Sequence, residues 1–272
     1  MNIVRCAGFL TTLLLLCLGG AGGEAHAAAD KPTVYLIGDS TVRNGTEGQQ
    51  GWGEPFAALF DPEKAVVNNR ALGGRSSRTY YTEGLWEKVR AQLKPGDYVL
   101  MQFGHNDGGE LNTGPRPRAS LKGNGDDERE VVMEATGAKE IVRSYGWYLR
   151  RYIADTKAAG AIPIVLSPVP RKIWNEGRVA RASGDYGKWA KEAAAQGGAL
   201  FVDLNEIVAR RYEAMGPEKV EALFADARTH TNEAGAKINA EAVAEGIRGL
   251  KDCPLAGLLK PATAAPADTT TP

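Results

Sequence analysis

The sequence predicts an α/β fold, a doubly wound parallel sheet with helices on both faces, and three observations carry that expectation. Five short runs are apolar throughout instead of alternating with polar residues, as strands covered on both faces must be. Helical patterns lie between the later runs. Gly and Pro stop signals end several of those patterns. Strands that alternate with helices imply right-handed crossovers and a parallel sheet.

The elements follow in order. The strands are Thr33–Ile37, Ala65–Asn68, Tyr98–Phe103, Ile162–Ser167 and Leu200–Asp203, each short and rich in Val, Ile, Leu or aromatics. A helix is expected over Leu85–Leu93, stopped by Pro95-Gly96. A longer one is expected over Lys139–Ala159, where Ile141, Tyr145, Tyr148, Leu149, Tyr152 and Ile153 recur at helical spacing before Gly160. Helices over Tyr186–Gln196, Leu204–Ala214 and Asn232–Leu250 complete the set. Residues 108–137 carry Pro115, Pro117 and a Gly-Asn-Gly-Asp-Asp run, and read as a long loop walling a binding cleft.

Both ends read as dispensable to the fold. Arg5, the apolar run Phe9–Leu18 and Ala25-His26-Ala27 form the three regions of a secretory signal peptide, cut near Ala27. The apolar run is shorter than the roughly 20 residues of a membrane span, so no membrane association is expected after cleavage. Residues 28–252 are expected to form one domain, and the Pro/Ala/Thr-rich residues 253–272 a disordered tail. Cys6 and Cys17 leave with the leader, so Cys253 has no intramolecular partner. Export without disulfides suits a bacterial periplasm or exterior. Lys+Arg and Asp+Glu both number 33, which leaves no field to gather a polyanion, and nucleic acid is not an expected partner.

In an open parallel sheet, ligands bind beyond the carboxyl ends of the strands. The first strand delivers Gly38-Asp39-Ser40 there, the second the run Asn68–Ser77, and the third Gly104-His105-Asn106-Asp107. Asp226–His230 arrives ahead of the last helix. His26 leaves with the leader, so an imidazole base must be His105 or His230. A serine hydroxyl needs such a base, and the base needs a third group to hold its tautomer. Ser40, His230 and a nearby Asp would meet that need. Gly74 N–H, the Asn106 amide and Ser40 N–H are candidate donors to an oxyanion. Each also has a plain reading: Ser40 as a helix cap, Gly74 as a turn, Asn106 as a loop brace. Two histidines far apart, with no adjacent ligand pair, make a poor zinc site.

The four blocks, Gly38-Asp39-Ser40, Gly74, Gly104-His105-Asn106-Asp107 and His230, resemble in order those of the SGNH (GDSL-type) hydrolases, over about Thr33–Leu250. Within that family LIGDSTV, the run Gly74–Tyr80, GHNDGG and THTNEAGA look most like rhamnogalacturonan acetylesterases. The resemblance implies a three-layer α/β/α, flavodoxin-like fold with five parallel strands. It implies Ser40 as nucleophile, His230 as base, an oxyanion hole of Ser40, Gly74 and Asn106, no cofactor, and an acetylated polysaccharide as substrate. The chain departs from the family at one position. The acidic residue is expected three before the histidine, where Ala227 stands, and Asp226 lies four before it. Offsets of three and four share a side of a helix-like turn, so Asp226 can reach the ring; the alternative is a backbone carbonyl orienting His230, with Asp226 capping or solvated. Asp39 and Asp107 are expected to brace their own loops. Arg75, Arg78, Trp147 and Trp174 are open to sugar contact or to packing.

Two rivals accompany the esterase reading. A lipase or thioesterase would need an apolar acyl groove, but Arg43, Asn44, Thr46, Glu47, Gln49 and Gln50 follow the serine. A non-catalytic polysaccharide-binding protein would not need a nucleophile and base together.

Overall fold

The computed structural model describes residue 1, residues 31–182 and residues 184–262. The expected leader after Met1 and residues 263–272 lie outside the described residues. In chain order the elements begin with β1 (Thr33–Gly38), a 3-10 turn (Pro55–Leu59), β2 (Val66–Asn69), α1 (Ser77–Thr82), α2 (Leu85–Arg90) and β3 (Tyr98–Gln102). A hairpin of β4 (Glu128–Val132) and β5 (Lys139–Arg143) follows, then α3 (Tyr145–Ala158) and β6 (Ile162–Leu166). A two-residue pair, β7 (Trp174–Asn175) and β8 (Arg178–Val179), precedes α4 (Tyr186–Gly197) and β9 (Leu200–Val202). The chain closes with α5 (Leu204–Met215), α6 (Pro217–Glu221), α7 (Glu233–Arg248) and a 3-10 turn (Pro254–Leu258).

The central sheet runs β2-β1-β3-β6-β9, and every pairing in it is parallel. Register sets Leu36 beside Leu100 and Leu100 beside Ile164. Because strand side chains alternate, one face collects Val34, Leu36, Leu100, Ile164 and Val202 against α5 and α7. The opposite face collects Tyr35, Ile37, Val99, Met101 and Val165 against α2, α3 and α4. Burying each such side chain contributes about 1.5–3 kcal/mol. That is why these strands read as unbroken apolar runs.

The structure corrects three expectations. The helix expected over Lys139–Ala159 begins only at Tyr145, because Ser144 accepts from Trp147 N–H and caps it there. Lys139–Arg143 is β5, paired antiparallel with β4, and its Ile141 is half exposed. The region 108–137 is accordingly not all loop, since it contains β4. Packed chain also continues past 252. Leu255 is buried in the core, Leu259 pairs with Phe60, and Lys260 N–H donates to Leu59 O at 2.8 Å. Cys253, Leu255 and Leu259 anchor it in the core, with Ala256 and Leu258 packed against them.

Candidate active site

Ser40 sits at the tip of β1 because the chain turns there with no room for a side chain at position 38. A Cβ on Gly38 would stand 2.5 Å from both Gln102 O and Val42 Cγ2. Asp39 is buried, and its Oδ1 accepts from Thr41 N–H at 2.8 Å and Thr41 Oγ1 at 2.7 Å. Val42 N–H and Arg43 N–H both donate to Asp39 O at 3.1 Å. Ser40 therefore rides on an Asp-braced turn, and no helix starts at Thr41 for it to cap.

The histidine arrives on a loop fastened to the segment after that turn. Thr231 Oγ1 donates to Gln50 O at 2.9 Å, and Gln50 N–H donates to Thr231 O at 2.8 Å. Asn232 caps α7 by accepting from Gly235 N–H. Held this way, His230 Nε2 lies 2.8 Å from Ser40 Oγ. His230 Nδ1 lies 2.5 Å from Asp226 Oδ2. The four-residue offset reaches the ring because Asp226 Oδ1 gathers the N–H groups of Arg228, Thr229 and His230 at 3.0, 2.7 and 3.0 Å, coiling the loop around it. Burial pushes the Asp226 carboxyl up, but those three backbone donors and the facing ring outweigh it and hold it well below the usual carboxylate range. An ionised Asp226 fixes the proton on Nδ1 and leaves the Nε2 lone pair toward the hydroxyl.

The expected oxyanion donors lie beside this chain of bonds. Gly73 approaches the serine closely: a Cβ there would stand 3.6 Å from Ser40 Cβ. Gly74, at φ +77°, occupies a left-handed conformation that favours glycine. Among the described residues, neither Ser40 N–H nor Gly74 N–H meets an acceptor. Asn106 Nδ2 donates to Arg75 O at 2.9 Å, which orients the amide and leaves its second N–H unengaged.

The remaining polar residues build the frame. His105 Nε2 lies 3.0 Å from Val169 O, and its Nδ1 faces Asp39 Oδ2 at 3.3 Å. Burial would raise the Asp39 carboxyl, but His105 and the Thr41 bonds win and lower it. Asp107 departs from the expectation that it braces its own loop. It accepts from Ser77 N–H at 3.1 Å and from Ser120 Oγ at 3.1 Å, tying α1 to the long connection. Its burial pushes the carboxyl up to about 7 despite those donors. Arg78 is fully buried, donating to Leu111 O, Ala119 O and Glu140, so it cannot contact a sugar. Arg75 pairs with Glu83. Trp147 packs edge-on against Tyr81 and Tyr148 under the Arg143 guanidinium, and Trp174 lies against the core. Sequence reading missed the Gln50–Thr231 fastening and the buried chain Trp52 Nε1–Gln102–Thr41, since backbone acceptors and single amides leave no motif. No group of three or more His, Cys, Asp or Glu among the described residues could hold a metal ion.

The chain also resembles known proteins. Residues 36–238 match the model of the GDSL-like lipase/acylhydrolase family. A rhamnogalacturonan acetylesterase of Emericella nidulans is 33% identical over 215 residues, covering 79% of this chain and 84% of that protein. A probable rhamnogalacturonan acetylesterase of Bacillus subtilis, YesY, is 32% identical over 224 residues, covering 80% of this chain and 93% of that one. Among solved structures, the Bacillus subtilis protein YxiM superposes with a TM-score of 0.64 at 27% identity, over 80% of this chain and 56% of that one. The acetylxylan esterase Axe2 of Geobacillus stearothermophilus superposes with a TM-score of 0.54 at 23% identity, over 81% and 95%, a likeness of fold. The chain belongs to the GDSL-like lipase/acylhydrolase family and is a carboxylic ester hydrolase on a three-layer α/β/α fold.

Proposed function

We propose that the protein is an exported serine esterase that removes O-acetyl groups from a pectic polysaccharide of the rhamnogalacturonan type. The observation that carries this reading is the continuous chain Ser40 Oγ, His230, Asp226 at the carboxyl edge of the sheet. The acetylesterase names of the relatives, at 33% and 32% identity, support the acetyl group and the polymer.

In the mechanism, Ser40 Oγ attacks the acetyl carbonyl as its proton passes to His230 Nε2. Asp226 holds Nδ1–H and stabilises the imidazolium that forms. Ser40 N–H, Gly74 N–H and the second Asn106 N–H take the developing oxyanion, each such donor contributing about 3–4 kcal/mol. Collapse of the tetrahedral species breaks the bond to the sugar oxygen, which takes the proton from His230 Nε2 and leaves as a hydroxyl, and an acetyl-enzyme remains. Water deprotonated by His230 then releases acetate. Residues 1–27 serve as the export signal, and the hydrolase domain runs from residue 28 through the packed turn at Leu259.

The experiment is acetate release from a panel of acetylated plant polysaccharides, with the Ser40→Ala protein as control. Release from acetylated rhamnogalacturonan by the wild type alone supports the reading. Equal release by both proteins, or activity confined to long-chain acyl esters, overturns it.

A further inference from the structure

Several arginines away from the site are neutralised: Arg90 by Glu87, Arg150 by Asp126, Arg181 by Glu213, Arg211 by Glu245. Arg75 beside Gly74 is paired too, with Glu83, but four others around Ser40 are not. Arg116 lies against the oxyanion loop, its Nη2 2.4 Å from where a Cβ on Gly74 would stand. Arg118 Nη1 approaches Gly74 O at 3.4 Å. On the other side, Arg171 Nη2 donates to His105 O at 3.1 Å. Arg228 follows two residues after Asp226. No carboxylate lies within ion-pair distance of any of the four among the described residues.

Arg171 is the most telling. It is half-buried and lines a cavity of about 140 Å³ between the ends of β3 and β6, with His105, Val169 and Tyr186. Its Nε is buried and meets no acceptor. The carboxylate lining that cavity, Asp185, already accepts from Tyr186 N–H. Burial and the Arg228 charge pull the Arg171 guanidinium below its usual value, against the smaller opposing influence of Asp39 and Asp185. A partly desolvated cation with no carboxylate in direct contact costs free energy that a bound anion would recover. Guanidinium also matches a carboxylate through paired N–H donors.

We propose that this cavity is a subsite for the carboxylate of a uronic acid residue neighbouring the acetylated sugar, with Arg171 as its principal ligand. The inference rests on the esterase reading of Ser40 and adds which side chain holds the acid groups of such a polymer. Arg228 supplies longer-range attraction from the same side.

The test compares kcat/KM on one acetylated polyuronate with its carboxylates free and with them methyl-esterified, which removes charge but keeps sugar and acetate. The wild type should favour the free acid by roughly 10-fold or more, the range of a charge-assisted hydrogen bond. Added salt should narrow that ratio. Arg171→Met should bring the ratio close to one, and Arg171→Lys should restore part of it. If Arg171→Met does not fold, Arg228→Gln, at an exposed position, should lower the ratio by a smaller factor. A wild-type ratio near one, or a ratio unmoved by these variants, overturns the subsite while leaving the esterase reading intact. A wild type inactive on both polymers and on an aryl acetate instead removes the esterase reading itself.

Discussion

His230 Nε2 stands 2.8 Å from Ser40 Oγ although 190 positions separate them in the chain. Two hydrogen bonds between Gln50 and Thr231 close that distance, one residue beyond the histidine. The site is therefore as rigid as the two turns it joins: the Asp39-braced turn and the Asp226-wrapped loop.

Asp226 has two tasks, on separate oxygens. Oδ2 holds the ring, while Oδ1 binds three backbone N–H groups. Asp226→Asn should lower kcat by up to roughly 10⁴-fold, since an amide favours the wrong tautomer. Steady-state kinetics on an aryl acetate check this. A wild-type kcat would mean that a backbone group, not Asp226, orients the imidazole.

Asn106→Ala should reduce kcat by about 10²–10³-fold with little change in KM, the signature of a donor that acts on the transition state. Gly74→Ala should impair kcat too, because φ of +77° strains any side chain there. A rise in KM alone for either variant would place that residue in substrate binding.

Asp107 makes stability fall as pH rises. Its folded value lies at about 7, above the unfolded 3.8. Between those values the unfolded chain has released a proton that the folded chain retains, so unfolding becomes easier with rising pH until the folded carboxyl has also ionised. Thermal melts of Asp107→Asn from about pH 4 to pH 7 should show a flatter dependence than the wild type. Parallel curves would contradict the buried neutral acid.

Arg78 fastens the connection after β3 to α1, with a side chain 1% exposed and Glu140 as its ionic partner. Arg78→Met should destabilise by about 3–5 kcal/mol, because Glu140 and the carbonyls of Leu111 and Ala119 lose their donor. Denaturant melts measure it. A loss confined to polysaccharide affinity, with stability unchanged, would return Arg78 to the substrate surface.

The central strands were legible because each is buried on both faces and so carries no polar alternation. The hairpin was not. Tyr145, Tyr148 and Tyr152 set a helical period that Ile141 happens to continue, and only the Ser144 cap marks the break. Ser76 and Thr79 form a capping box at α1, a signal present in the sequence but hidden in a glycine- and serine-rich run. Ser40, Gly74, Asn106 and His230 could be found because strand ends in a parallel sheet must converge. The arginines around them could not, since pairing with a carboxylate depends on folded distances. The fate of Asp226 was open for the same reason: an offset of four reaches the ring only once three backbone N–H groups have coiled the loop.

The most direct measurement is labelling with a serine-directed fluorophosphonate, followed by peptide mass analysis. The account predicts one adduct, on Ser40, formed quickly by the wild type and far more slowly by His230→Ala. An unlabelled protein, or an adduct on another serine, would contradict it.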